Sequence, residues 1–289
     1  ERFARRRGLR LGAGRFVAGE RLEDGIRVAH ELAAEDKHAI LDLLGEFVET
    51  ERDAAAMADG VVDAIRALAE VPEPRRLSVK PTQLGLGIST EVALRHMRRL
   101  AQEADRAGVL LCMDMEDHPR VDATLEMLET LHDEGHHHLS TVLQSYLRRT
   151  PYDLERLLAR DPVPELRLVK GAYSEPASVA FPDKADVDRA YRDLLVRMLE
   201  GGGLVHVATH DEALIRFAQE RRDEMGVPRD RTTFQLLYGV AQRLQTALVA
   251  EEETVGVYLP FGADWYGYFT RRLAERPANL AFVLRGLFS

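Results

Sequence analysis

The feature that most constrains the fold is a regular alternation of short apolar runs with longer amphipathic segments along 289 residues. The apolar runs are rich in Val, Ile and Leu and are bounded by Gly, Pro or charged residues, as buried parallel strands are. They predict eight strands, at Ala39–Leu44, Leu77–Lys80, Val109–Asp114, Leu139–Gln144, Leu166–Gly171, Leu204–Thr209, Thr233–Leu237 and Val255–Leu259.

Apolar residues recur at three- and four-residue spacing between these runs, which predicts amphipathic helices. Ser89 or Thr90 and Asp211 are predicted N-caps. The glycine triplet 201–203 precedes a strand, so we interpret it as a helix C-terminus rather than a phosphate-binding loop. The predicted helices are Ala54–Leu68, Glu91–Ala107, Val121–Glu134, Ala185–Leu199, Glu212–Met225 and Gly239–Ala250.

Eight strands alternating with helices predict one α/β domain over residues 1–289, a (β/α)₈ TIM-type barrel. We expect a distorted barrel with an N-terminal helical arm over residues 1–37 and a last helix over the C-terminal ends of the strands. The alternative is a doubly wound open sheet, which needs a glycine fingerprint after its first strand. Gly12-Ala13-Gly14 is a weak match, because no good strand precedes it.

Composition narrows the classes of function. A net charge of −9 argues against nucleic-acid phosphate binding as the main task. The single cysteine, Cys112, excludes an internal disulfide and fits a reducing cytoplasm. The basic start of the chain has no apolar run after it, so we do not expect a secretory signal there.

Polar residues occur at or near the ends of seven predicted strands, where (β/α)₈ barrels carry their chemistry. A single strand-end lysine or aspartate is usually a solvated rim residue, but convergence from seven strands indicates a functional rim. The residues are Lys80, Asp114, Gln144, Arg167, Lys170, Thr209, His210, Gln235 and Tyr258.

Arg167 is the most informative of these residues, because it lies inside an apolar strand where an unpaired charge would cost several kcal/mol. Asp114 and Lys80, from neighbouring strands, are its natural partners. Strand parity puts Arg167, Val169 and Gly171 on one face, so Lys170 should point elsewhere unless the strand has already ended. Gly171 would let a flat ligand approach the backbone closely.

The segment after the last strand contains a second cluster. Tyr268, Arg271 and Glu275 share a helix face, and Arg271 and Arg272 could flank one small anion such as a carboxylate. The alternative is an exposed charged turn with an ion pair between Arg271 and Glu275.

Three other signals are discounted. The histidine tract 136–138 has no acidic or Cys partner at ligand spacing, so no metal site is expected there. Cys112 lies within a strand and is interpreted as a small buried apolar residue. Trp265 is assigned to helix packing.

Several motifs, in this order, resemble the proline dehydrogenase family. They are Ser78-Val79-Lys80, Asp114-Met115-Glu116, the TVLQSY run 141–146, the RLVKGAY run 167–173, Ala208-Thr209-His210, and Tyr268 through Arg271-Arg272 to Glu275. The resemblance runs from about Lys80 to Asn279 and implies the monofunctional bacterial type. It implies FAD at the strand ends and L-proline between the flavin ring and the last helix.

On the family pattern, Lys80, Arg271 and Arg272 bind the proline carboxylate, and Glu275 orients the arginines. Asp114 is the active-site acid, and Arg167 lies near the reactive nitrogen of the flavin. The resemblance leaves Lys80, Asp114 or solvent as the group that takes the amine proton. The residues implied to enclose the pyrrolidine ring are Tyr173, Leu237, Tyr258 and Tyr268. Those implied to contact FAD are Met115, Gln144, Arg167, Val169, Lys170, Gly171, Ala172, Thr209 and His210.

The resemblance also implies the partners. The product would be 1-pyrroline-5-carboxylate, passed to a separate dehydrogenase, and the electrons would go to quinone through transient contact with the membrane. Asp211 departs from the family pattern, which has asparagine there more often. The Tyr258 region, residues 257–262, is a looser match with a shorter connection to the last helix.

Two rival functions fit the same barrel. A Schiff-base aldolase or lyase would use Lys170 or Lys80 as nucleophile, and its covalent intermediate would be trapped by borohydride. A barrel that only binds a ligand would keep the strand-end charges without turnover.

Overall fold

The computed structural model describes residues 15–45 and 48–268. Eight parallel strands close into a barrel in which each strand pairs with its neighbours in chain order and β8 pairs with β1. The strands are β1 Lys37–Leu43, β2 Arg75–Val79, β3 Val109–Met113, β4 Leu139–Gln144, β5 Leu166–Val169, β6 Val205–Ala208, β7 Thr232–Leu237 and β8 Val255–Phe261. The eight predicted strands are confirmed, and the closed sheet excludes the doubly wound alternative.

Helices follow the strands and cover the outside of the barrel. Ser89 and Asp211 are N-caps as predicted, because their side chains accept hydrogen bonds from the backbone N–H of Val92 and Ala213. No helix within the described ranges is long and apolar enough to cross a membrane. The helices are α1 Leu22–Ala33, α2 Glu51–Leu68, α3 Thr90–Ala107, α4 Val121–Asp133, α5 Thr150–Leu158, α6 Lys184–Glu200, α7 Glu212–Glu224 and α8 Gln242–Ala250.

Helix α1 lies within the predicted N-terminal arm, and the sequence reading missed the nine-residue α5. The predicted end of β5 at Gly171 is wrong by two residues. Gly171 has a φ of +116°, which is incompatible with a strand, so β5 ends at Val169. Residues 265–268 are helical, and the rest of the predicted last helix lies outside the described residues.

The strands separate an apolar outer layer from a polar interior. Alternate strand residues such as Leu41, Leu77 and Leu168 are fully buried and belong to the main hydrophobic core with the helices. Side chains from the opposite face meet across the barrel, since Arg167 of β5 donates hydrogen bonds to Gln235 of β7 and Ser78 of β2. The hydrophobic core is therefore the layer between strands and helices.

A cluster of charged groups lies at the N-terminal end of the barrel interior, which we call the barrel floor. Arg76 donates from its guanidinium to Glu165 at 2.7 Å, and Nε2 of His206 lies 3.0 Å from the same carboxylate oxygen. Arg76 and His206 are buried. The floor is thus sealed by paired polar groups at the end of the barrel that does not carry chemistry.

We expect His206 to make the protein less stable as the pH falls from about 6.5 to about 4. Burial, partly opposed by the hydrogen bond to Glu165, lowers the pKa of His206 from 6.5 to about 4. The unfolded chain therefore binds this proton at a higher pH than the folded protein does, and the free energy of unfolding falls across that interval. A shift of this size corresponds to roughly 3 kcal/mol. Urea denaturation at pH 7 and pH 4 should show a smaller acid-induced loss for His206→Gln, and equal losses would contradict the assignment.

A second apolar cluster joins the N-terminal segment to the chain after β8. Phe16, Val17, Leu44, Trp265 and Tyr268 are buried together. The segment is tied down by main-chain bonds from residue 18 to the carbonyl of residue 260 (2.9 Å) and from residue 262 to the carbonyl of residue 19 (2.9 Å). The N-terminal segment therefore supports the helical turn that carries Tyr268.

Gly239→Ala should displace this N-terminal segment. Gly239 has a φ of +71°, and a Cβ atom there would lie 1.7 Å from the carbonyl oxygen of Arg15. Trp265 is the only tryptophan in the chain, so its emission reports on the apolar cluster, and we expect a shift to longer wavelength. Gly202→Ala is the matched control, because Gly202 also has a positive φ (+88°) but no heavy atom within 4 Å. An unshifted Gly239→Ala spectrum would show that the segment tolerates the added methyl group.

Candidate active site

Arg167 projects from β5 into the barrel interior and is 5% exposed. Its Nε donates to Oε1 of Gln235 at 2.7 Å, one terminal nitrogen to Asp114 at 2.8 Å, and the other to Ser78 Oγ at 3.0 Å. All three nitrogens of the guanidinium therefore have an acceptor, as a buried arginine requires. The predicted pairing of Arg167 with Asp114 is observed.

Asp114 follows β3 directly and is the centre of the charge cluster. Besides Arg167, it accepts hydrogen bonds from the Tyr258 hydroxyl at 2.7 Å and from Lys80 Nζ at 3.3 Å. Burial alone would raise the pKa of Asp114, but Lys80 and Arg167 outweigh it and hold the pKa below its usual value. Asp114 is thus an ionised carboxylate surrounded by donors.

Tyr258 of β8 occupies a central place in this cluster, although its family match was looser than the others. Its hydroxyl lies 3.3 Å from Lys80 Nζ, and its ring lies under the Arg167 guanidinium, 5.5 Å from ring centroid to Cζ. Burial, together with the negative charges of Asp114 and Asp42, raises the pKa of Tyr258 well above its usual value. The hydroxyl therefore stays protonated and donates a hydrogen bond to Asp114.

Asp42 of β1 is a member of this cluster that the sequence reading missed. It is completely buried, and its two carboxylate oxygens lie 3.3 and 3.5 Å from Lys80 Nζ. Burial raises the pKa of Asp42, whereas the positive charge and the hydrogen bond of Lys80 oppose that rise and favour the ionised carboxylate. A usable signal was present, because a lone carboxylate inside the apolar run 39–44 is as unusual as Arg167 inside β5.

Gln144 ends β4 beside the residues that follow β3. Its side-chain amide donates to the carbonyls of Met115 (3.4 Å) and Glu116 (3.3 Å). Its Oε1 is buried and has no hydrogen-bond partner among the described residues. A buried acceptor left open at a strand end fits a ligand that brings an N–H donor.

Lys170 does not join the central cluster. Because β5 ends at Val169, Lys170 turns toward α6 and α7, where its ammonium lies 2.6 Å from Asp188 and 2.7 Å from Asp211. Asp211, the departure from the family pattern, therefore pairs with Lys170 and also caps α7. A contact from the Lys170 ammonium to a ligand would require this pair to open.

The other predicted residues occupy several places on the rim. Gly171 packs closely on Tyr146, since a Cβ atom there would lie 2.3 Å from the tyrosine ring. His210 accepts a hydrogen bond from the Leu237 backbone at 3.1 Å. Val169 pairs in register with Gln144. Thr209 is buried and accepts a hydrogen bond from the Asp211 backbone. Tyr173 is partly buried and Ala172 is exposed. Arg271, Arg272 and Glu275 lie outside the described residues.

The structure also locates the three features that the sequence analysis discounted as functional sites. His136 and His138 each lie near the Asp105 carboxylate, at 2.6 and 3.3 Å, a partner that the sequence reading did not find. In the described part of the chain, no group of three or more His, Cys, Asp or Glu residues could hold a metal ion. Cys112 is buried, and burial raises the pKa of its thiol. Trp265 is buried as predicted and donates to Glu20 at 3.1 Å.

Comparison with known families and proteins gives a consistent result. The family model described as "Proline dehydrogenase" matches residues 26–285. A proline dehydrogenase of Deinococcus radiodurans is 44% identical over 291 residues, which cover 99% of this chain and 93% of that protein. Proline dehydrogenase 1 of Bacillus subtilis (strain 168) is 41% identical over 286 residues, which cover 99% of this chain and 94% of that protein.

The fold has close counterparts among solved structures. Proline utilization A (PutA) from Bdellovibrio bacteriovorus, inactivated by N-propargylglycine, superposes with a TM-score of 0.84 over 91% of this chain at 23% sequence identity. The match covers 32% of that protein, so this chain corresponds to about a third of its length. At this identity the likeness concerns the barrel fold.

Proposed function

The chain belongs to the proline dehydrogenase family, and on that premise we propose that it oxidises L-proline to 1-pyrroline-5-carboxylate with bound FAD. The observation that carries the proposal is the cluster of Lys80, Asp114, Arg167 and Tyr258 at the C-terminal strand ends. The sequence motifs singled out these residues separately, and the fold brings them into one network. The roles given below to these four residues in proline oxidation are part of the proposal.

The rim offers groups that suit a flavin. The open Oε1 of Gln144 can accept an N–H, and the buried Arg167 supplies a positive charge that favours a reduced, electron-rich ring. When bound, FAD would supply the hydride-accepting chemistry, and the protein would supply orientation and electrostatics. Besides these two, the residues proposed to hold it are Met115, Val169, Lys170, Gly171, Ala172, Thr209 and His210.

The substrate would be fixed by its carboxylate, because an error of an ångström in the position of the reacting carbon costs orders of magnitude in rate. Lys80 is the proposed cation among the described residues, joined by Arg271 and Arg272, which Glu275 would orient. Tyr258 would lie against the pyrrolidine ring, with Tyr173, Leu237 and Tyr268 completing the enclosure. Because its pKa is held low, Asp114 would remain ionised and orient Lys80 and Arg167 rather than store a proton.

The remaining proposals concern the electrons, the product and the place of reaction. Two electrons leave each proline, and a membrane quinone met by transient peripheral contact is the proposed acceptor. The product would pass to a separate 1-pyrroline-5-carboxylate dehydrogenase. A cytoplasmic location is supported by the cysteine content, because the single cysteine, Cys112, is buried and cannot form a disulfide within the chain.

The absorbance spectrum of the purified protein tests the cofactor and the substrate together. We expect flavin bands near about 450 nm that bleach when L-proline is added without oxygen. D-proline is the matched control, because it presents the same groups with the wrong face toward the cofactor. Absence of flavin after reconstitution with FAD, or bands that L-proline leaves unchanged, would refute the proposal. Borohydride trapping with a carbonyl substrate would instead identify the lysine-dependent lyase.

Arg272→Met should raise the KM for L-proline at least tenfold and leave FAD bound. The reason is that Arg272 is one of two adjacent arginines whose planar guanidinium groups are suited to bind the substrate carboxylate. Steady-state kinetics and the flavin-to-protein ratio measure the two effects separately. An unchanged KM would remove Arg272 from the proposed carboxylate site.

A further inference from the structure

Asp42 has the least exposed charged side chain of the cluster. It lies on β1 in register with Ser78 of β2 and Pro260 of β8, and its side chain is 1% exposed. Asp114, the other carboxylate near Lys80, is 14% exposed. Lys80 is therefore held between one carboxylate that is sealed from solvent and another that borders the rim.

We propose that Asp42 is a positioning residue, which keeps the ammonium of Lys80 charged and aimed at the carboxylate of the substrate. The inference rests on the proposed function, in which Lys80 binds that carboxylate. It extends that function by separating the roles of the two aspartates: Asp42 is the permanent partner of Lys80, and Asp114 is the exchangeable one.

The hydrogen-bond inventory supports this division. An ammonium has three protons, and Lys80 Nζ already has at least three acceptors within reach among the described residues: Asp42, Asp114 and the Tyr258 hydroxyl. A substrate carboxylate must therefore replace one of them. Asp114 can release Lys80 and keep both Arg167 and Tyr258 as donors. Asp42 would lose the cation that pairs with it and remain as a buried charge, which is strongly unfavourable.

The charge balance points in the same direction. Lys80 faces Asp42 from β1, Asp114 from β3 and Tyr258 from β8, and Arg167 of β5 lies behind Asp114. Within these described residues, and with both aspartates ionised, the two cations and the two carboxylates sum to zero. Without the charge of Asp42, the set carries one net positive charge, and Lys80 gives up its proton at a lower pH because an opposite charge nearby no longer favours its charged form.

A double-mutant cycle tests the inference. Asp42→Asn, which preserves shape, should raise the KM for L-proline about tenfold with a smaller change in kcat. In a Lys80→Met background, Asp42→Asn should change the KM no further, because Asp42 acts through Lys80. Glu165→Gln is the matched control, since it also removes a carboxylate paired within the barrel, but at the floor. It should lower stability and leave the KM unchanged.

Lysine NMR gives a readout that does not depend on turnover. Lysine occurs in this chain only as Lys37, Lys80, Lys170 and Lys184, so replacing the other three by arginine assigns the Lys80 signal. With ¹³C-labelled lysine, Lys80 should titrate at a lower pH in Asp42→Asn than in the wild type and should not move in Glu165→Gln. This measurement stands even if Lys80→Met fails to fold.

The outcomes separate the inference from the function on which it rests. A raised KM in Lys80→Met beside a normal KM in Asp42→Asn would overturn the inference alone. So would KM effects that add in the double variant, or a Lys80 titration that Asp42→Asn leaves in place. A normal KM in Lys80→Met would overturn the proposed carboxylate contact and the inference with it.

Discussion

Arg167→Met should lower kcat by about 10²- to 10³-fold in protein that still binds FAD, a loss of the size seen when a group that stabilises developing charge is removed. Arg167 places a buried positive charge beside Asp114 in the charge cluster, and methionine keeps an unbranched side chain but has neither the charge nor the hydrogen-bond donors. The reduction potential of the bound flavin should become more negative, because the reduced ring loses a nearby cation. Stopped-flow reduction by L-proline and a redox titration measure the two effects.

The matched control is Arg76→Met at the barrel floor. Arg76 is also buried and also paired with a carboxylate, Glu165, but it lies at the opposite end of the interior. Both variants should lose stability, since each leaves a carboxylate with less compensation. Only Arg167→Met should shift the flavin potential. Equal flavin reduction potentials in the two variants would show that Arg167 has only a structural role.

Asp114→Ala should lower kcat by about 100-fold or more and weaken substrate binding much less. The substitution removes the acceptor shared by Arg167, Lys80 and Tyr258. The groups proposed to orient flavin and substrate then lose the carboxylate that fixes their positions relative to one another. Removing one partner of a buried ion pair also costs about 3–5 kcal/mol of stability. Steady-state kinetics, flavin content and urea denaturation should be measured on the same preparation.

Glu253→Ala is the matched control, because it distinguishes a loss of stability from a loss of catalytic activity. Glu253 is a buried carboxylate that accepts two hydrogen bonds from the fully buried Arg222, at 2.5 and 2.8 Å, away from the rim network. It should lose comparable stability and keep its kcat. If Asp114→Ala also keeps its kcat, Asp114 is a structural residue and the proposed assignment fails.

The strands were predictable because their signal is local. Each strand is buried on its outer face by helices, so its apolar residues stand out in the sequence, and β4 was predicted to the residue. The end of β5 was not predictable in this way, because Lys170 continues the run of residues while only the conformation of Gly171 ends the strand. Helix α5 was missed because it is nine residues long and begins at Thr150-Pro151, which resembles a turn in sequence.

The site was predictable where a residue type was unusual for its surroundings. Arg167 inside β5 led to Asp114 and Lys80, and the structure brings all three together. The same signal exists at Asp42, but a polar residue two places before a predicted strand end resembles a solvated rim residue until its partner from the next strand is known. The ion pairing of Lys170 depends on α6 and α7, which no local pattern relates to β5.

The mutual pairing of Asp42, Lys80, Asp114 and Arg167, whose charges balance within the described part of the chain, restricts how this site can evolve. Any single substitution that alters a charge leaves an excess charge among buried groups, so most one-step changes pass through an impaired protein. Changes that cancel, such as loss of Asp42 together with Lys80, avoid that penalty even though each alone is unfavourable. We therefore expect relatives that keep the proposed activity to retain these positions together, and relatives that have lost it to replace them in compensating pairs rather than independently.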